Sequence, residues 1–529
     1  MGLYPPEPPA SLKWLADPGY IEGNHVYYVD QKPRIFDARI YEGAATAGHP
    51  LKDLWDHMSQ EQKDDRPHGW CTVLVGGMRF GGGEITVSGN FDNNAATVDP
   101  PRTFASSYFA IDITDPKNPI FLWERNYPGL GFTTSFPAVL KVDKKQIDTG
   151  PDPDVVNVQE RHWYLLFGSG PTTYQGTSTQ NSRIFLVDLA TGRTDLTANP
   201  GRIFTELTDS SGNDNGNILP GAGFMGSPVS VDLTVDYSVN VSYIGEGHAS
   251  SGSYDGGLYR LQVPVTVGTA NGKPVLLYTV DPATWTLTHM FNTDYAITAA
   301  PAAAVGTADT SYSLWVYFGT GRYLANADKL DNSPQFLFGI KDPYYNFKLD
   351  TTERNNLLNA EPLDKSSLFE TTNVLVYTDG TVVGTTEANT FADLKIRQDY
   401  GSTYELGWYK QLESGERIIN KPSLLGGILL APSFVPNSDI CGFGGDSYLH
   451  ALYFETGTAY FKNVVGLDGD RVLDRIDLGA GLSSSLGIHV GREHGARGFV
   501  QQSTGTINQI DLKPAFTIKS GFLNWREVR

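Results

Sequence analysis

Proline opens a short apolar strand four times along this chain: Pro137 before Ala138-Val139-Leu140, Pro228 before Val229, Pro301 before Ala302, and Pro422 before Ser423-Leu424-Leu425. Each is followed by a second apolar run bordered by glycine: LLFGSG at 165–170, VSYIGEG at 241–247, WVYFGTG at 315–321 and GGILLAPS at 426–433. A third run then alternates apolar with polar and turns on an acid or a glycine: IFLVDLATG at 184–192, LYRLQV at 258–263, LFGIKD at 337–342 and LHALYFETG at 449–457. Two weaker copies stand in register. Pro33 leads through TVLVGG (72–77) to YFAIDITD (108–115), and Ser485 leads through GIHVG (487–491) to INQIDL (507–512).

Proline suits the first residue of a strand because no ladder N–H is needed there, and glycine admits the positive φ of a tight turn. A four-stranded unit of this size cannot bury both its faces alone, so copies stack on neighbours, which is the logic of a radial β-propeller. The pattern therefore predicts an all-β chain: about seven four-stranded antiparallel blades of quinoprotein-like type, with long insertions confined to loops. Val73, Val75, Leu165, Phe167, Ile244, Val316, Phe318 and Leu429 are expected in buried inner strands. Residues 350–412 hold two further strand-like runs, NVLVYTDGTVVGTT (373–386) and TYELGWYKQL (403–412). They read equally as an extra blade or as a hairpin insertion.

Composition fits this picture, with 57 Gly, 31 Pro and 12% aromatic residues. No apolar stretch approaches the roughly 18 residues of a transmembrane helix. The repeats run nearly end to end, so residues 1–529 read as a single domain. A formal charge of −19 argues against nucleic-acid or anionic-membrane binding, because both need a basic face. Cys71 and Cys441 lack zinc or redox spacing and read as buried thiols or one bridge. The amino terminus, MGLYPPEPPASLKW, has neither the basic nor the apolar region of a signal peptide, which suggests a fragment of a longer exported protein.

Taken in order, HVYYVDQKPRIFDARI (25–40), GWCTVLVGG (69–77), YFAIDITDPKNPIFLWE (108–124), GSPVSVDL (226–233), LWVYFGTGRYL (314–324), GERIINKPSLLGGILLAPSFVP (415–436) and CGFGGDSYLHALYFETG (441–457) resemble the C-terminal propeller of the PilY family. These are type IV pilus tip-associated adhesins and biogenesis factors. The resemblance implies a non-enzymatic, extracellular or surface-displayed, pilus-associated propeller. Its expected roles are in pilus biogenesis, the balance of extension and retraction, and surface attachment, with minor pilins as partners. The integrin-binding RGD of some members is not present; the nearest string is Gly469-Asp470-Arg471, so that role does not carry over.

The family also carries a calcium loop of the form DxDxDxxxD, and the corresponding segment here is Asp232-Leu233-Thr234-Val235-Asp236-Tyr237-Ser238-Val239-Asn240. Calcium takes six to eight oxygens, largely carboxylate. Asp232 and Asp236 keep acids, Thr234 replaces one, and Asn240 offers only an amide oxygen. The expectation is weak or absent calcium binding, improved by acids at 234 and 240. A second acidic cluster, Asp468, Asp470 and Asp474, with Arg471 inside it, is a lesser metal candidate and reads mainly as a solvated turn.

No GxSxG elbow, HExxH helix or Walker loop appears, and the glycines at 81–83 precede no helix that would complete a nucleotide fingerprint. His248 and Asp255, in the Gly-rich turn 245–257, form a weak proton-transfer candidate, and His489 and His494 lack ligand spacing. Two alternatives remain. A quinoprotein dehydrogenase is suggested by Trp123 after YFAIDITDPKNPIFL, but no tryptophan follows the turns after Asp188, Leu261 or Leu452, and no vicinal cysteine pair is present, so no quinone is expected. A glycan-binding propeller is suggested by the loop aromatics Tyr295, Tyr344 and Tyr345.

Overall fold

The computed structural model describes residues 28–87, 101–147, 156–194, 201–204, 218, 221–250, 253–307, 313–346, 349–397, 406–437, 444–491 and 495–516. Six blade-type antiparallel sheets occur among them. The first runs Arg34–Ala38, Cys71–Gly77, Tyr108–Asp112, Ile120–Arg125, and the second Ala138–Ile147, Val156–Gly168, Ile184–Asp188, Arg202–Phe204. In the third, Gly223–Met225 and Val229–Val231 both pair with Val241–Ser250, followed by Ser253–Gln262 and Thr286–Thr293. The fourth orders Ala302–Val305, Leu314–Gly319, Phe336–Lys341 and Gly407–Gln411, with Phe369–Glu370 added in parallel at its edge, the fifth Ser423–Leu425, Ile428–Pro436, Gly445–Tyr453 and Arg475–Ala480, and the sixth Gly487–Gly491, Gly495–Gln501 and Ile507–Leu512.

Each of the five prolines at 33, 137, 228, 301 and 422 stands immediately before its strand, where the missing N–H costs nothing. Helices are short and lie between strands: Lys52–His57, Gln60–Asp64, Thr351–Asn359 and Phe391–Arg397. The eight residues expected in buried inner strands are all buried. Inner strands covered on both faces read as unbroken apolar runs rather than alternating ones, which is why Tyr164 to Phe167 and Leu314 to Phe318 are continuous in sequence.

One detail differs from the sequence reading. GIHVG is the first strand of the sixth sheet, not the second; the second is Gly495–Gln501, whose alternation of small and polar residues hides it. Among the described residues of 373–412, one run forms a hairpin and the other enters the fourth sheet. Leu375–Val376 and Val382–Val383 form a two-stranded ribbon, and Gly407–Gln411 lies in the fourth sheet between Phe336–Lys341 and Phe369–Glu370.

The chain divides into two compact units, Met1–Gly252 with Tyr259–His289, and Ser253–Leu258 with Met290–Arg529. In the first, Val73, Val75, Ala110 and Trp123 of sheet one pack on Leu165, Phe167, Phe185 and Val187 of sheet two. The opposite face of sheet two, through Leu140, Val142, Tyr164 and Leu166, packs on Ile244, Tyr259, Leu261 and Trp285. The second unit's core gathers Trp315, Tyr317, Trp408, Leu429, Leu449, Tyr453, Val500 and Ile510.

Neighbouring sheets dock through a repeated device. Trp123, on the fourth strand of sheet one, donates Nε1–H to the Leu189 carbonyl at 2.8 Å. Its ring lies over Gly192, whose φ is +66°, where a Cβ would stand 2.6 Å from the indole. Trp408, on the fourth strand of sheet four, donates Nε1–H to the Phe454 carbonyl at 2.9 Å and lies over Gly457, φ +67°, where a Cβ would stand 2.2 Å away. In both turns the glycine N–H bonds the carbonyl four residues back, Asp188 or Tyr453, and its own carbonyl accepts a neighbouring hydroxyl, Tyr127 or Thr371. The tryptophan dock expected only at Trp123 is therefore repeated at Trp408. It escaped the sequence because residues 342–406 separate Trp408 from the strand it completes. The device is hydrocarbon packing plus one hydrogen bond.

Candidate functional site

The segment Asp232 to Asn240 joins Val229–Val231 to Val241–Ser250 in the third sheet. Asp232 organises it from within. Its Oδ1 accepts the Asp236 N–H at 3.2 Å and its Oδ2 the Tyr237 N–H at 2.7 Å, so each carboxylate oxygen accepts a backbone donor. Asn240 Oδ1 accepts the Leu233 N–H at 2.6 Å, and Asp236 Oδ1 the Ser238 N–H at 3.2 Å. The Tyr278 hydroxyl is the hub: it donates to Asp236 Oδ1 at 3.0 Å, accepts from Asn240 Nδ2 at 3.0 Å and lies 3.1 Å from Thr234 Oγ1. Val235 and Tyr237 have φ of +55° and +67°, unusual for non-glycine residues, and are 81% and 78% exposed.

Two lysines of Ala138–Ile147 close the loop from the second sheet. Lys145 Nζ donates to Asp236 Oδ2 at 2.6 Å, and Lys141 Nζ donates to the Tyr237 carbonyl at 3.2 Å and to Asp143 Oδ2 at 2.6 Å. Burial alone would push the Asp236 carboxyl up, but the Lys145 ammonium and the Tyr278 hydroxyl hold it below its ordinary value. Burial beside that carboxylate pushes the Tyr278 phenol up to about 12. The four residues singled out in this segment, Asp232, Thr234, Asp236 and Asn240, are thus brought together. Their side-chain oxygens accept N–H, hydroxyl and ammonium donors from within the loop and from the second sheet.

The second acidic cluster is not brought together. Asp468 pairs with Arg471 at 3.1 Å across the two-residue turn between Leu467–Asp468 and Arg471–Val472. Asp474 pairs instead with Lys410 at 2.8 Å, and its carboxyl, which burial would raise, is lowered by that ammonium. Asp470 contributes its carbonyl to the Thr378 N–H. Among the described residues no group of three or more His, Cys, Asp or Glu side chains is placed to hold a metal ion.

The other sequence candidates are dispersed. His248 lies over Gly221, His489 sits opposite Arg497 in the sixth sheet, Tyr344 packs on Tyr345, and Tyr295 stacks on Phe336. Cys71 is buried, its thiol pushed up by burial, with Sγ 3.5 Å from the Ala38 carbonyl. Cys441 and His494 lie outside the described residues.

Two buried carboxylates had no signal in the sequence. Glu416 is fully buried; its Oε1 accepts from His450 Nε2 at 2.8 Å, Arg475 Nε at 3.2 Å and the Ser433 hydroxyl. Burial opposes its charge, yet His450, Ser433 and Arg475 draw its pKa down to about 2. Glu246 is equally buried, its donors among the described residues are hydroxyls, Tyr259 Oη at 2.6 Å among them, and burial pushes it up to about 7. Spacing could not reveal either, because each is defined by partners from distant strands. No helix of the described residues is long and apolar enough to cross a membrane.

No family model matches the chain. It is 24% identical over 481 residues to the type IV pilus biogenesis factor PilY1 of Pseudomonas aeruginosa, a match covering 88% of this chain and 33% of that protein. A PilY1 homolog of Xylella fastidiosa is 24% identical over 464 residues, 86% of this chain and 24% of the relative. The chain thus spans about a third or less of the length of these curated relatives. Among solved structures, the C-terminal domain of P. aeruginosa PilY1 superposes with a TM-score of 0.58 at 19% identity, covering 97% of this chain and 88% of that one. That likeness gives the fold as a β-propeller.

Proposed function

We propose, from the premise that this chain is a C-terminal domain of the PilY kind, that it serves type IV pilus biogenesis as a non-enzymatic propeller. The observation that carries the reading is homology over 88% of the chain to proteins named as pilus biogenesis factors. Within that role, the domain contributes to the balance between fibre extension and retraction and to attachment at surfaces. It is exported, displayed with the pilus, and engages minor pilins. The architecture suits such a role, since rigid sheets buried on both faces present long loops, and the acidic chain is a poor partner for nucleic acid.

The test is an in-frame deletion of residues 28–516 from the encoding gene, with counts of surface pili, twitching-zone diameter and surface attachment. Loss of pili that returns when retraction is also disabled is the expected result, with co-purification of minor pilins by the intact protein. Unchanged piliation, twitching and attachment would remove the proposal.

A further inference from the structure

Positive charge reaches the 232–240 loop from the neighbouring strand Ala138–Ile147. Lys145, its side chain only 14% exposed, contacts Asp236 Oδ2 through Nζ at 2.6 Å, and Lys141, its side chain 17% exposed, contacts the Tyr237 carbonyl through Nζ at 3.2 Å. A carboxylate oxygen and a backbone carbonyl are the oxygen types that calcium collects. Here each is held by an ammonium, that of Lys145 as an ion pair with the loop's own carboxylate and that of Lys141 while also paired with Asp143. The remaining loop oxygens, both of Asp232 and Oδ1 of Asn240, are turned to backbone N–H groups. Further anchors from the same strand need no metal: Val239 N–H to the Lys141 carbonyl at 2.9 Å, and Asp143 N–H to Ser238 Oγ at 3.2 Å.

We propose that Lys145, assisted by Lys141, is the resident cation of this loop, so that the second and third sheets are clamped there without a divalent metal. The clamp fixes Val235 and Tyr237 in their left-handed, solvent-facing conformations; such strain persists only where surroundings over-determine it. The proposal does not depend on the pilus role.

Calorimetric titration of the full chain with calcium chloride alone, and thermal melts in EGTA against millimolar calcium, read the clamp directly. The expected results are no binding heat and the same melting temperature in both solutions. Lys145→Met lowers the melting temperature, and a cycle with Asp236→Asn gives a coupling of about tenfold in the unfolding equilibrium constant. In the Lys145→Met background, Thr234→Asp makes the melt calcium-dependent, whereas Thr234→Asp beside an intact Lys145 does not. Should Lys145→Met fail to fold, the double variant with Asp236→Asn is expected to recover folding, because no uncompensated carboxylate is then left. Micromolar calcium binding by the unaltered chain, a melt lowered by EGTA, zero coupling in the cycle, or a double variant that stays unfolded would each overturn the proposal.

Discussion

Replacing Trp408 by alanine removes the largest side chain of the dock between the fourth and fifth sheets. The residue is fully buried, so truncation is expected to cost about 3–5 kcal/mol through lost transfer energy and the cavity left behind. The Phe454 carbonyl also loses its donor, about 1 kcal/mol of that total. Gly457→Ala attacks the same dock from the other side. Its Cβ would stand 2.2 Å from the indole, a clash worth roughly 1–3 kcal/mol, on a backbone whose φ of +67° costs an L-residue about 1–2 kcal/mol more. The two effects are not additive. In the Trp408→Ala background the clash has gone, and Gly457→Ala is expected to cost only the backbone share of about 1–2 kcal/mol. Urea unfolding of the full chain, followed by tryptophan fluorescence and far-ultraviolet circular dichroism, measures all three variants. A Trp408→Ala loss below about 1 kcal/mol, or full additivity with Gly457→Ala, would refute the reasoning.

Other outcomes follow from the buried carboxylates. Glu416, depressed from 4.5 to about 2 in the fold, supplies stability that is fully present above pH 4.5 and is lost as pH falls through about 2. Glu416→Gln is expected to cost about 3 kcal/mol at pH 7 and little near pH 2, by melting at both. Glu246 behaves oppositely. Its pKa rises from 4.5 to about 7, so its burial costs nothing below pH 4.5 and destabilises increasingly as pH climbs through 7. Glu246→Gln is therefore expected to gain up to about 3 kcal/mol at pH 8 and nothing at pH 4; equal effects at both would contradict the assignment.

What could be read from the chain, and what could not, divides along the range of the interaction. Proline before each opening strand is a local signal, and all five such strands start where proline places them. The loop from Asp232 to Asn240 is found through its resemblance to the family's calcium loop, also a local signal, and its named residues do converge. Lys145, which completes that loop, lies 91 residues away from Asp236, and no spacing rule connects them. Glu416 likewise meets His450 and Arg475 only after three strands of the fifth sheet have paired. Trp408 is visible as an aromatic strand residue but not as a dock, because its sheet is interrupted. The sixth sheet departs from its sequence reading by one strand, since Gly495–Gln501 carries arginine, glycine and glutamine where an inner strand elsewhere carries apolar residues.

That interruption has a consequence for how the chain assembles. In the first sheet the fourth strand follows the third after residues 113–119, whereas in the fourth sheet it follows after residues 342–406. Closing the longer connection costs about 2 kcal/mol more in chain entropy, repaid only once Gly407–Gln411 pairs and Trp408 seats. The inserted segment meets this cost with its own side chains: Phe369, Val376, Val382, Phe391 and Leu394 enter the same core, and Phe391 packs on Tyr453, Tyr460 and Phe461. Gly407–Gln411, the insertion and the fifth sheet thus share one core, and we expect them to order together. A break in the chain anywhere between 349 and 397 would be felt as a loss of cooperativity in that half of the protein, well away from the cut.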